Sequence, residues 1–184
     1  ILHAIIILFQ YTIAGTIAGG NPIKLIKNMI PAYLTAIGTQ SSAATIPVTL
    51  RQTKKNGVSD GVADFAIPLC ATIHLSGSTI TLTSCSLALM IIYGMPHGFA
   101  TMFGFILMLG ITMVAAPGVP GGAVMAALGL LGSMLGFNEE LLSLMIALYL
   151  TQDSFGTACN VTGDGAIAVL VNKFAGNKLE LKED

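Results

Sequence analysis

Charge is what this sequence has least of. Asp, Glu, Lys and Arg make up 9% of its 184 residues, while 54% are hydrophobic. No Asp, Glu, Lys or Arg occurs between Asp64 and Glu139. A water-facing surface of that length needs charge, whereas a bilayer excludes it, so an ordinary soluble domain is excluded. No basic run offers itself to a nucleic acid, and no nucleic-acid partner is expected. Cys70, Cys85 and Cys159 sit in apolar stretches without metal-type spacing, which suits packing rather than disulfides or metal ligation. The first apolar run has neither a basic n-region nor a small-residue cleavage site, so it does not read as a signal peptide. A chain opening on Ile1 inside such a run is expected to be a piece of a longer protein.

What is present is a series of apolar segments cut by small, polar or Pro/Gly-rich ones. Residues 1–20 form an apolar run near the ~20 residues a membrane-spanning helix needs, ended by Gly20, Asn21 and Pro22. Residues 21–60 hold two short arms around TQSSAATIP (Thr39 to Pro47), then the hydrophilic RQTKKNGVSDG (Arg51 to Gly61). Neither arm can span alone, so this reads as a re-entrant hairpin with its tip at Ser41 and Ser42, followed by a loop. Residues 61–94 read as one spanning helix broken at ATIHLSGST (Ala71 to Thr79), where Gly77 and the hydroxyl residues weaken helical structure. In 95–138, apolar arms flank AAPGVPGG (Ala115 to Gly122), whose prolines and glycines cannot sit inside a normal helix. That is a second re-entrant hairpin. Residues 139–174 form the final span and 175–184 a tail.

All eight Lys and Arg fall in three places: Lys24 and Lys27, the Arg51–Lys55 stretch, and the tail with Lys173, Lys178 and Lys182. By the positive-inside rule these are cytoplasmic, and the bare turns near Met95 and Asn138 are outside. The first hairpin then enters from the cytoplasm and the second from outside. A polar-tipped hairpin followed by a broken span, repeated in opposite orientation, is the pattern of an inverted-repeat transporter. The expected fold is an all-α, multi-pass protein of the cell's plasma membrane, with two re-entrant helical hairpins and broken transmembrane helices. Irregular backbone at that depth is tolerated only where protein or a water-filled cavity satisfies it.

The richest chemistry lies in DSFGTACNVTGD. Asp153, Thr157, Asn160 and Asp164 are spaced 4, 3 and 4 residues, so on a helix they share one face. Phe155, Cys159, Val161 and Ile167 form an opposite, apolar face. Two carboxylates within a span need a cavity or a partner. Eleven residues place them ~16 Å apart, too far for a glycosidase-like acid/base pair. Asp164 is the better ligand for a small hard cation, Asp153 suits a substrate ammonium, and Asn160 can donate to a carboxylate. His74, in the broken span, reads either as a helix-to-helix hydrogen-bonding residue or as a proton-coupling or ligand residue. His3 and His97 look peripheral. An enzyme would need a nucleophile beside a base, and no such pair is evident. A channel would show a repeated lining face without occluding hairpins.

Together TQSSAATIPVTL, PLCATIHLSGST, APGVPGG and QDSFGTACNVTGD resemble the dicarboxylate/amino acid:cation symporters, the glutamate-transporter family, in order from Ile1 to Phe174. The resemblance implies the C-terminal, transport-core half of a carrier that is a homotrimer when full length and moves its core as an elevator in the lipid bilayer. It implies that Ser41, Ser42 and Val119 contact substrate, that Asp153 binds its amino group, and that Thr157 and Asn160 hold its polar and carboxylate groups. Sodium (Na+) would be held by Asp164 with Asn160, and backbone groups near Thr72 and from Val114 to Ala116 would frame another cation site. The second hairpin would be the outer gate. Three departures stand out. Gly156 and Gln40 occupy places where acidic-substrate relatives carry Arg, so an arginine installed at 156 should turn preference toward acidic substrates. The family's NMDG is HLSG here, with His74 for Asn and Ser76 for Asp, which makes both residues candidates in coupling and opens protons (H+) as an alternative to sodium. The expected function is sodium-coupled symport of a small neutral amino acid; the alternative is a proton-coupled dicarboxylate or acidic amino acid symporter.

Overall fold

The computed structural model describes residues 1–180; the last four residues of the expected tail, with Lys182, lie outside the described residues. Among the described residues there are eight helices and no strand. Helix α1 (Leu2–Ala18) stops at Gly19, whose φ of 77° is the left-handed conformation that closes a helix end. Asn21 then starts α2 (Pro22–Thr39), its side chain accepting from the Ile23 and Lys24 amides with Pro22 at the first turn. The Gly-Asn-Pro stop in the sequence is therefore also a start.

Two residues, Gln40 and Ser41, join α2 to α3 (Ser42–Lys55), and the two helices pack together as a hairpin. Helix α3 continues through RQTKK, so the hydrophilic loop expected from Arg51 shrinks to Asn56–Ser59. Arg, Gln and Lys are good helix formers, and Lys54 and Lys55 suit the negative end of the helix dipole. Lys54 pairs with Asp60 (3.1 Å) and Asp64 (2.9 Å) on the next helix. The hydrogen bonds to Asp64 and then Asp60 hold its ammonium above the ordinary lysine range.

Helices α4 (Asp60–Ile73) and α5 (Ser76–Ile92) are interrupted at His74 and Leu75, both outside helical geometry. The break falls inside the expected Ala71–Thr79 window and is only two residues long. Helices α6 (Phe99–Met113) and α7 (Gly122–Leu135) form the second packed pair around the Pro/Gly segment. Helix α8 (Glu139–Glu180) runs 42 residues without interruption, about 63 Å at 1.5 Å per residue. Its Gly156, Gly163 and Gly165 do not break it, so only one of the two expected spans is broken.

Two apolar cores meet along α8. One gathers Leu82, Leu89, Phe105, Leu109, Val124 and Leu131 with Met145 and Tyr149 of α8. The other gathers Ile7, Tyr11, Met29 and Ile67 with Ala158, Val161 and Val169 of α8. From Gly156 to Ala166 every residue of α8 is buried. On the expected opposite, apolar face, Cys159 and Val161 are fully enclosed, while Phe155 is exposed. Helices α1, α2, α4 and α5 surround this stretch, and its small side chains let them approach closely.

The outward surface is apolar. Leu2, Ile5, Phe9 and Ile13 of α1 and Phe99, Phe103, Leu107 and Ile111 of α6 are all exposed, more contiguous apolar side chain than a water-facing surface carries. Among the described residues one stretch, Asp60–Ile92, is long and apolar enough by length and composition to cross a bilayer. Helices α6 and α7, at 15 and 14 residues, reach only about 21–23 Å against a hydrocarbon core of ~30 Å.

Candidate functional site

The tip of the first hairpin is held by side chains. Ser41 caps α3, its Oγ accepting from the Ala44 amide (3.2 Å), and Thr39 and Thr45 hydroxyls meet at 3.0 Å. Gln40 adopts a positive φ of 52°, rare for a residue with a side chain, and its Nε2 donates to Ser154 of α8 (2.8 Å). The tip of the second hairpin is held through its backbone. The Gly118 carbonyl accepts from Ser41 Oγ (2.8 Å) and from the Ala43 amide (3.1 Å), tying the two tips together. Gly118 also lies against the Ala71 carbonyl at the end of α4, where a Cβ would overlap it. The Gly121 amide donates to Asp153 Oδ2 (2.7 Å), and Thr157 Oγ1 donates to Asp153 Oδ1 (3.2 Å).

These groups enclose a cavity of about 10 Å³ lined by Gln40, Ser42, Ser78, Val119, Tyr149, Asp153, Thr157 and Asn160, with Leu75, Pro117, Gly118 and Ala123. That is room for about one water, so a solute the size of an amino acid requires the tips to separate. Asp153 is the one charged side chain lining it, and no Lys or Arg does so among the described residues. A larger apolar cavity of about 350 Å³ between α1 and α2 has no charged lining group and offers no polar set to a solute.

Asn160 has a task the sequence did not show. Its Oδ1 accepts from the Gly77 (2.7 Å) and Ser78 (3.3 Å) amides, and its Nδ2 donates to Ser78 Oγ (2.8 Å). It thereby caps the start of α5 from another helix, satisfying amides that the break leaves without carbonyl partners. Only the remaining Nδ2 proton is free for a substrate carboxylate.

Asp164 is fully buried and meets His74, Nδ1 to Oδ1, at 2.8 Å. His74 Nε2 lies 3.2 Å from Gln10 Nε2 on α1. A neutral His74 protonated on Nδ1 satisfies both contacts, donating to Asp164 and accepting from Gln10. A Cβ on Gly163 would sit 2.5 Å from His74 Cε1 and 2.6 Å from Gln10 Oε1, so this glycine makes room for the chain of contacts.

The other expected cation-site residues lie at the end of α4 and just after α6. Thr72 is exposed, its hydroxyl bonded to Leu69 O (2.9 Å) within its own helix. Val114 is exposed and Ala116 buried. None of the three lines the cavity, although Gly118 against Ala71 does bring the second tip to the end of α4. Ser76 Oγ is buried without a hydrogen-bond partner, beside the Cys159 thiol. No group of three or more His, Cys, Asp or Glu converges among the described residues.

Two expectations need correction. Gly156 does not line the cavity; a Cβ there points at α5, 3.2 Å from Thr81 Oγ1 and 3.5 Å from the Gly77 carbonyl. A side chain at 156 starts against Thr81, whose hydroxyl would have to give by a few tenths of an ångström, before it can turn toward the cavity. His3 is not peripheral either, since its Nε2 meets Gly77 O (3.0 Å) and Thr81 Oγ1 (3.1 Å). His97 is exposed and bonded locally to Met95 O, as expected. Gln10, Tyr11 and Tyr149 went unread. Tyr11 donates to Thr162 O at 2.8 Å, and Tyr149 continues the Asp153, Thr157, Asn160, Asp164 face by four residues, a spacing the sequence carried in view.

The fold thus brings together a buried helix with two inward carboxylates, one of them closed over by two helical-hairpin tips. The chain belongs to the Sodium:dicarboxylate symporter family, whose profile matches residues 1–174. Serine/threonine transporter SstT of Acinetobacter baumannii (strain SDF) is 32% identical over 157 residues, covering 83% of this chain and 39% of that protein. Excitatory amino acid transporter 1 of Homo sapiens is 29% identical over 189 residues, covering 100% of this chain and 33% of that protein. Excitatory amino acid transporter 4 of Mus musculus is 30% identical over 168 residues, covering 89% and 29%. The chain thus spans well under half the length of these relatives, and the family and its relatives are transporters, not enzymes.

Proposed function

We propose that the chain is the transport core of a membrane carrier performing cation-coupled symport of a small neutral amino acid. The observation that carries the substrate class is the charge inside the cavity: one carboxylate, Asp153, and no cation among the described lining residues. An amino acid brings one ammonium for Asp153. Its α-carboxylate falls to the tip amides, Thr157 and the free Asn160 proton. A second substrate carboxylate would be desolvated without a partner, which is costly. His74 does not supply that partner, being engaged with Asp164 and absent from the lining.

The apolar exterior supports a bilayer setting, with α2–α3 and α6–α7 as re-entrant hairpins from opposite faces and the basic ends cytoplasmic. The family relationship supports sodium as the coupling ion, with Asp164 a ligand, and supports a trimeric assembly with elevator motion of this core. Protons are the second reading, and the His74–Asp164 contact favours it. Protonated His74 donates from both nitrogens, and Gln10 Oε1, buried and unpartnered, could then accept from Nε2 by an amide flip.

The test is uptake by the full-length protein in proteoliposomes, with sodium and pH gradients imposed separately. Serine, alanine, aspartate, glutamate and succinate compete at several pH values. Sodium-driven uptake competed by serine and alanine is expected. Tight aspartate or succinate binding at pH 8, where an ordinary His (pKa about 6.5) is neutral, would overturn the neutral-substrate reading.

A further inference from the structure

One end of the helix bundle carries two adjoining cavities that the site beneath the hairpin tips does not use. One, of about 180 Å³, lies between the α1–α2 turn, the α3–α4 turn and α8, and Lys173 lines it. The other, of about 290 Å³, lies between the same two turns, and Lys24 and Lys55 line it. They share Gly20, Leu25, Asn56 and Gly57. Lysines from α2, α3 and α8 therefore border one recess, and among the described residues no Asp or Glu lines either part. The carboxylates closest to it along the chain, Asp60 and Asp64, both pair with Lys54. The recess is also a built shape. Asn56 Nδ2 donates to Leu25 O (3.1 Å) and its Oδ1 accepts from Asn28 (2.8 Å), which ties the α3–α4 turn to α2. Asn172 Oδ1 accepts from the Ser59 amide (3.0 Å), which ties the same turn to α8. Leu25, Val58 and Val169 give it a buried apolar wall.

Clefts lined by one sign of charge gather counter-ions of the other. We propose that this recess holds the phosphate of an anionic phospholipid headgroup, with Lys24, Lys55 and Lys173 as its ligands. This rests on the reading of the basic ends as the cytoplasmic end of a bilayer protein, and not on which solute is carried. Basic pockets between helices at that surface take lipid headgroups. The surroundings favour a lipid over a free phosphate. Ile17, Ile23 and Phe174, each next in sequence to a lining residue, are exposed, and acyl chains can cover them while the phosphate sits among the lysines. A headgroup held there joins α2, α3 and α8 through charge at the end where short turns and amide contacts hold them together.

The experiment measures binding of water-soluble dioctanoyl phosphatidylglycerol to the full-length protein in neutral detergent by titration calorimetry. Dioctanoyl phosphatidylcholine and glycerol 3-phosphate are the comparison probes. The anionic lipid should bind about tenfold more tightly than either, and more weakly as salt rises. Lys24→Gln, Lys55→Gln and Lys173→Gln should each weaken it about fivefold, the ~1 kcal/mol that a lysine near an anionic surface supplies. Lys27→Gln, one turn along α2 and outside the recess, should change it by less than about twofold. Equal weakening by all four variants would mean diffuse attraction to a basic surface, and would overturn the proposal. So would equal binding of the choline lipid, or glycerol 3-phosphate binding as tightly as the lipid, which would give the recess to a soluble phosphate. Loss of this binding pattern with amino acid uptake intact sinks this inference alone. The full pattern in a protein that takes up no amino acid sinks the proposed function and leaves the lipid site standing.

Discussion

The two hairpin tips meet over the same carboxylate but are built from opposite materials. The first is a run of hydroxyl and amide side chains that bond one another and α8, with Gln40 held at a strained φ of 52°. The second has no side-chain cap and is fixed by where its backbone goes: Gly118 O to the first tip and Gly121 N to Asp153. The first tip is self-supporting, whereas the second is in place only while its neighbours are. A carrier with one such pair should open the second tip more readily, and substitutions can ask whether that asymmetry is real.

The largest effect is expected at Asp153, which anchors the second tip and, on the proposed function, meets the substrate ammonium. Removing one member of a buried charge pair costs about 2–5 kcal/mol, so Asp153→Asn should weaken amino acid binding by at least about thirtyfold. A deaminated analogue should lose much less, and equal losses would deny Asp153 the ammonium. Next comes Gly118→Ala, whose Cβ would fall on the Ala71 carbonyl. Overpacking of this kind costs about 1–3 kcal/mol, up to about a hundredfold in the closed-to-open ratio. Substrate affinity should fall, and a cysteine placed at exposed Val119 should label faster. Unchanged labelling would mean the tip is not seated on α4.

Ser41→Ala tests the other side of the comparison. It removes a helix cap, worth about 1 kcal/mol, and one of two bonds to Gly118 O. Because the Ala43 amide still holds that carbonyl, affinity should drop only about fivefold. A larger loss than Gly118→Ala would invert the ranking of the tips. The smallest effect is expected far from both, at the exposed Lys54 pairs with Asp60 and Asp64. Their hold on the ammonium is complete below the ordinary lysine pKa and is lost only as pH rises through the raised one. Lys54→Met should therefore leave Tm nearly unchanged, with the same small offset at pH 6 and pH 9. An offset that grew between those values would show that other titrating groups depend on Lys54.

The sequence carried local features well and long-range ones poorly. The break at His74, the tip at Ser41 and Ser42, and the Pro/Gly tip all come from residues that dislike helices, and such dislike is written locally. The repeat pattern misled at α8, where a second broken span was expected and burial from Gly156 to Ala166 keeps the helix whole, since packing overrides propensity. It misled at RQTKK too, where hydrophilicity suggested a loop but the residues are good helix formers. His3 could not be placed from sequence because its partner Gly77 is 74 residues away. Gly156 could be assigned to a helix but not to a direction, because facing requires knowing that α5 lies alongside.

Because α8 is continuous, Asp153 and Asp164 are fixed points on one stiff rod, and the interval between them cannot lengthen or shorten during a transport cycle. Any message between the two ends has to be relayed sideways. The two-residue break beside that rod is fastened to it on both flanks: His74 to Asp164 below, and the Gly77 and Ser78 amides to Asn160 above. A change in what Asp164 holds would twist the start of α5, and Ser78 would carry that twist to the cavity wall.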